Sequence, residues 1–126
     1  MNGLVILGMH RSGTSMVAGA LARAGLYAGE DSDLLHDQDD NPHGFWERSD
    51  VVALNDQILG ACGGAWFDPA SSLTPTDEFE SSIIRILEVL APQSPWLLKD
   101  PRMVVTWPVW QGHLENTVVL YVYRNP

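Results

Sequence analysis

Residues 4–15 read Leu4-Val5-Ile6-Leu7-Gly8-Met9-His10-Arg11-Ser12-Gly13-Thr14-Ser15, and this stretch decides the fold. An apolar run of strand length passes into a glycine loop. The loop opens a segment, Met16 to Ala24, with apolar residues at Met16, Val17, Ala20, Leu21 and Ala24, which is helical spacing. The first backbone N–H groups of such a helix have no partner inside it, and the peptide dipoles add partial positive charge there. Strand, glycine loop and helix start therefore make a cradle for a phosphate-like group. Gly8, Gly13 and Ser15 match the spacing G-x-x-x-x-G-K-[ST] of nucleoside triphosphate loops, but Thr14 takes the lysine position. Arg11 is the nearest basic side chain, so the loop is expected to hold a phosphate-like group without hydrolysing ATP.

Outward from this loop, the chain alternates helices and strands. Gly25 stops the first helix, and the small residues Ala18, Gly19, Ala20 and Ala22 let it lie close to a sheet. Residues 29–40 are acidic and aperiodic, a surface loop; His36 and His43 flank its aspartates at a spacing that fits no calcium or zinc motif, so no metal is expected. Asn41-Pro42-His43-Gly44 is a turn followed by Phe45-Trp46-Glu47. The aromatics either anchor that turn to the core or wall a pocket into which Glu47 or His43 points. A second helix starts near Ser49 or Asp50, with Val51, Leu54, Asn55, Ile58 and Cys62 on one face and Gly63-Gly64 at its end. A third takes Thr74 as cap and Pro75 as first residue, carries Phe79, Ile83, Ile86 and Leu90 on its apolar side, and ends at Pro92.

Pro95 introduces a short strand, Trp96-Leu97-Leu98, that runs into Lys99-Asp100-Pro101-Arg102. Residues 103–114 read ambiguously, because Pro108 breaks any long helix there. Thr117 to Tyr123 is continuously apolar and β-branched, the composition of a strand buried on both faces of a parallel sheet.

At 126 residues this is a single domain, 1–126. A formal net charge of -9 argues against nucleic acid, whose phosphates demand a basic face. It argues equally against an anionic membrane surface. Of seven lysines and arginines, Arg11, Lys99, Arg102 and Arg124 each follow a strand. Parallel strands would bring these cations to one edge, where open α/β sheets bind ligands, and there they suit an extended anion charged at more than one point. Cys62 is the sole cysteine, so no intrachain disulfide forms. The N-terminal apolar run is too short for a signal peptide or membrane span, and a cytoplasmic location is the expectation.

Four blocks, G-M-H-R-S-G-T-S, N-P-H-G-F-W-E, L-K-D-P-R and Y-V-Y-R-N-P, together resemble the bacterial branch of the sulfotransferase family across essentially the whole chain and in order. The resemblance implies a three-layer parallel α/β sheet of P-loop NTPase-like architecture, and transfer of a sulfuryl group from 3′-phosphoadenosine 5′-phosphosulfate (PAPS) to a hydroxyl or amine on a small-molecule or glycan acceptor. It implies that His10, Arg11, Ser12, Gly13, Thr14 and Ser15 hold the 5′-phosphosulfate, and that Lys99 and Arg102 lie in the block facing the leaving oxygens. Arg124 then binds the 3′-phosphate. The general base is a glutamate or histidine in this family, here Glu47 with His43 as the substitute. No metal is required. Family members continue past the 3′-phosphate arginine, so the chain is expected to be the N-terminal portion of such a domain, its C-terminal part missing. Two other readings stay open: a truncated, non-catalytic nucleotide- or anion-binding module, and a P-loop small-molecule kinase.

Overall fold

A computed structural model describes residues 2–9, 12–35, 46–61 and 79–124. Three parallel strands form one sheet in the order β2-β1-β3, with β1 at Gly3–Leu7, β2 at Trp96–Lys99 and β3 at Thr117–Tyr121. The register pairs Ile6 with Lys99 on one side of β1 and Leu7 with Tyr121 on the other. All three strands therefore end on the same edge. The turn from Lys99 to Arg102, Gly8, and residues 122–124 follow one another along it.

Alternation along the strands sorts their side chains between two cores. Leu4, Ile6 and Leu97 face α1 (Thr14–Arg23) through Ala18, Val17 and Leu21. Val5, Leu7, Trp96 and Leu98 face the opposite way, toward α2 (Ser49–Ala61), α3 (Glu80–Leu90) and α4 (Met103–Trp110). The expectation of an α/β domain with a parallel sheet holds, with helices on both of its faces.

Helix α1 lies one step round from the side its sequence predicts. Met16 is 75% exposed and Ala20 and Ala24 are exposed as well, while Ala18 and Gly19 are buried. Helix α1 packs through its small residues because the sheet and Trp46 come too close for larger ones. A Cβ on Gly19 would sit 3.0 Å from the Trp46 indole nitrogen. Helices α2 and α3 bury the predicted faces: Val51, Leu54, Asn55 and Ile58 on one, Phe79, Ile83, Ile86 and Leu90 on the other. The predicted start of α3 at Thr74-Pro75, and Cys62 with the glycines after it, lie outside the described residues.

Pro108 sits inside α4 rather than ending it. The N–H it lacks would have met the carbonyl of Val104, an exposed position where water can serve as donor. The eight-residue helix then tightens into a 3-10 turn at Gln111–His113.

The expectation for β3 is corrected. A strand buried on both faces was read from Thr117–Tyr123, yet Val118, Leu120, Tyr121 and Tyr123 are 45%, 36%, 67% and 83% exposed. It is an edge strand, paired with β1 alone among the described residues. Burial depends on what lies over a strand, and among the described residues little lies over this one. By contrast, the outer edge of β2 is partly covered by Tyr27, whose N–H donates to Pro95 and whose carbonyl accepts from Leu97.

Candidate functional site

The loop after β1 is tight by necessity. A Cβ on Gly8 would lie 2.6 Å from the Val122 carbonyl oxygen and 2.7 Å from Thr14 Cγ2. Gly13, the residue before α1, adopts a left-handed conformation with φ 93°, which glycine takes at little cost. Ser12 closes the turn by donating its hydroxyl to the Met9 carbonyl. Among the described residues no side chain caps α1, and its first internal bond runs from Val17 N–H to the Gly13 carbonyl. The N–H groups of Thr14, Ser15 and Met16 are thus the orphan donors of the first turn. Thr14, at the position where triphosphate loops have lysine, is buried with its methyl near Gly8.

Two residues distant in sequence reach this turn. Lys99, the last residue of β2, is 4% exposed, and its Nζ donates to Ser15 Oγ at 3.0 Å and to Glu47 Oε1 at 2.8 Å. Glu47 is 7% exposed. The backbone holds it firmly: the Glu47 carbonyl accepts from Leu35 N–H at 2.8 Å, and Arg48 bridges Leu34. Just before it, Trp46 has φ 61°, a left-handed conformation rare for a bulky residue, and packs into the α1 core. Such strain is compensated by the packing around it.

Behind the Lys99–Arg102 turn lies a buried polar network. Asp100 is fully buried; its Oδ2 accepts from Asn55 Nδ2 at 2.8 Å, and its Oδ1 accepts from the Arg102 N–H and Nη1, both at 3.1 Å. Asn55 Oδ1 in turn accepts from Thr106 Oγ1 at 2.9 Å and from Trp110 Nε1 at 2.8 Å. Arg102 also donates Nε to Asp56 Oδ1 at 2.8 Å. Its guanidinium is directed at α2 and braces the turn. Burial disfavours its charge, but Asp100 and Asp56 more than offset that, and its pKa stands above the ordinary arginine value.

Arg48 is held in the same fashion. It is 4% exposed, donates Nε and Nη2 to the two oxygens of Asp50 at 3.1 and 2.9 Å, and lies 3.9 Å from Asp33. Burial again works against the charge and is outweighed by Asp50 and Asp33, so its pKa is raised. Among the described residues its buried Nη1 finds no hydrogen-bond partner.

Of the residues singled out in sequence, Ser12, Gly13, Thr14, Ser15, Glu47 and Lys99 form one cluster at the carboxyl edge of the sheet. Arg124 follows β3 on that edge and is exposed. Arg102 stands one turn behind it. His10, Arg11 and His43 lie outside the described residues. The sequence did not single out Arg48, Thr106 or Trp110, and it placed Asn55 on an apolar face without a role. A lone amide on the stripe Val51, Leu54, Asn55, Ile58 was the available signal, since a buried amide needs partners.

Among the described residues no group of three His, Cys, Asp or Glu could hold a metal ion, and no helix is long and apolar enough to cross a membrane. Neither the family models, nor the curated proteins, nor the solved structures compared with this chain gave a match.

Proposed function

We propose that the chain carries a sulfonucleotide site and acts in sulfuryl transfer from PAPS to a hydroxyl or amine. The observation that supports this most is the meeting of Ser15, Glu47 and Lys99, from three separate sequence blocks, at one buried point beside an uncapped helix start. The donor set suits a phosphosulfate: orphan N–H groups, a loop with no room for a Cβ at Gly8, and a buried ammonium. The P-loop architecture belongs to the same proposal.

PAPS supplies an activated sulfuryl group whose displacement spreads charge over equatorial and leaving oxygens, much as phosphoryl transfer does. The α1 N–H groups and Lys99 bind those oxygens. Arg124, on the far side of the edge, binds the 3′-phosphate. Glu47 takes the acceptor's proton as the acceptor oxygen or nitrogen bonds to sulfur and the bond from sulfur to the phosphate oxygen breaks. A base so placed typically contributes about 10²–10⁴-fold.

Calorimetry with adenosine 3′,5′-bisphosphate tests the site, and a radiolabelled sulfate-transfer assay tests the reaction. Arg11→Ala should weaken binding by more than about 1 kcal/mol, the loss typical of a charge-assisted hydrogen bond. Unchanged affinity would mean the cradle is elsewhere. Binding without transfer would select a second reading, a non-catalytic anion-binding module. The buried Thr14 works against a kinase, and magnesium-dependent ATP binding would restore it.

A further inference from the structure

We infer that β3 is a self-association edge: two copies of this chain pair antiparallel through Thr117–Tyr121, centred on Val119, and join their sheets into one. The inference is independent of the sulfonucleotide reading and shares only Arg124 with it. Val122 N–H donates to the Leu7 carbonyl, and along a strand the backbone groups of successive residues point to alternate sides. Val118 and Leu120 therefore spend theirs on β1, while Thr117, Val119 and Tyr121 direct theirs away from it. A row of such groups is a template for another strand unless a lysine, a proline or a bulge blocks it. Thr117–Tyr121 holds no charged residue and no proline.

This edge is its own complement. Antiparallel pairing about Val119 sets Thr117 of each copy opposite Tyr121 of the other, and the outward N–H and C=O groups of all three residues find partners. Val118, 45% exposed, then stands opposite Leu120, 36% exposed, so the apolar surface open on the α1 side of the sheet is covered by its like. Charge fixes the direction. Glu115 precedes the strand and Arg124 follows it, both exposed. Antiparallel pairing brings each Glu115 toward the other copy's Arg124, whereas parallel pairing would set glutamate beside glutamate and arginine beside arginine. Assembly closes at two copies, because the opposite edge of the sheet is partly occupied by Tyr27, bonded to Pro95 and Leu97.

Sedimentation equilibrium of the 126-residue chain over about 1–100 μM should reach the mass of two 13.9 kDa chains at the upper end. Amide hydrogen exchange followed by NMR reads the register: Thr117, Val119 and Tyr121 should gain protection as concentration rises, while Val118 and Leu120 are protected throughout. Val119→Pro deletes an outward N–H and no bond to β1, and Val118→Lys sets a charge opposite Leu120. Each should raise the dimer dissociation constant at least about tenfold while the urea-unfolding transition is kept. Should Val119→Pro fail to fold, Val118→Lys, at an exposed position, decides. A single-chain mass across the whole range overturns the inference, and protected amides in that monomer would mean that another part of the same chain covers the edge. A mass that climbs past two chains overturns the closure. A dimer whose three amides exchange as fast as in dilute solution, or one that Val118→Lys leaves equally tight, associates through another surface and overturns the inference too.

Discussion

Lys99 Nζ and Glu47 Oε1 lie 2.8 Å apart in a place where the lysine is 4% and the glutamate 7% exposed. Burying two charges is costly, and breaking such a pair by removing one partner typically costs about 3–5 kcal/mol. Lys99→Met is expected to destabilise the domain by about that much in urea unfolding. Adding Glu47→Leu should recover most of the loss, because the uncompensated carboxylate goes with it. A double variant that loses the sum of the Lys99→Met and Glu47→Leu single losses would show that the pair is not coupled.

Asn55 serves three partners at once: Asp100, Thr106 and Trp110. Asn55→Ala leaves two buried donors and one buried acceptor short of a partner, at about 1–3 kcal/mol each before relaxation. A loss of at least about 3 kcal/mol is expected, against about 1 kcal/mol for Thr106→Val, which removes one donor and keeps the side chain's shape. Since Asp100 fixes the turn that delivers Lys99, Asn55→Ala should also weaken bisphosphate binding at temperatures where the protein remains folded. A variant that unfolds more easily yet binds as tightly would separate the network from the site.

Two glycines of the loop are needed for different reasons, and alanine distinguishes them. Gly8→Ala meets backbone at Val122 and the methyl of Thr14, so it should abolish anion binding and destabilise by about 1–3 kcal/mol, as overpacking does. Gly13→Ala has open space but a left-handed φ, and should cost about 1–2 kcal/mol through conformation alone. Pyrophosphate titrations on both, alongside denaturation curves, check the contrast.

Tyr27 is expected to give the fold a dependence on alkaline pH. Desolvation raises the pKa of its phenol above the usual 10.0, and the charges of Glu30 and Asp33, with the hydrogen bond to Glu30, raise it further. The folded state therefore favours the protonated phenol. That contribution is complete below the unfolded tyrosine pKa, about 10, and is lost as pH rises through the higher folded value. Tyr27→Phe should flatten the stability decline above pH 10, measured by thermal unfolding across pH 8–12. An identical decline in both proteins would show that other groups cause it.

The sequence was most readable where a residue's role is set by its neighbours in the chain. The stripes of α2 and α3 were legible because helical spacing puts those residues on one side whatever they meet. The edge shared by Gly8, Lys99 and Arg124 was legible because parallel strands all end the same way. The side of α1 that is buried was not, because it is chosen by the small residues Ala18 and Gly19 and by Trp46, which arrives from elsewhere. The exposure of β3 was hidden for a like reason, since an apolar strand carries no record of what covers it. Nor could spacing show that Arg102 turns to Asp56, or that Lys99 reaches Ser15. Those contacts depend on side-chain reach across elements.

The central position of β1 also bears on how the domain is made. Gly3 pairs with Trp96 on one side and with Thr117 on the other, so the first strand waits for two neighbours that lie far along the sequence. Contacts of such long sequence separation close slowly, because the entropy of the intervening loop is lost before the pairing compensates. Helices α2 and α3 are local and can form early; Gly8 does not meet its final surroundings until β3 has docked and the Val122 carbonyl stands against it. The turn at Gly8 is thus completed only after a strand far along the sequence has docked.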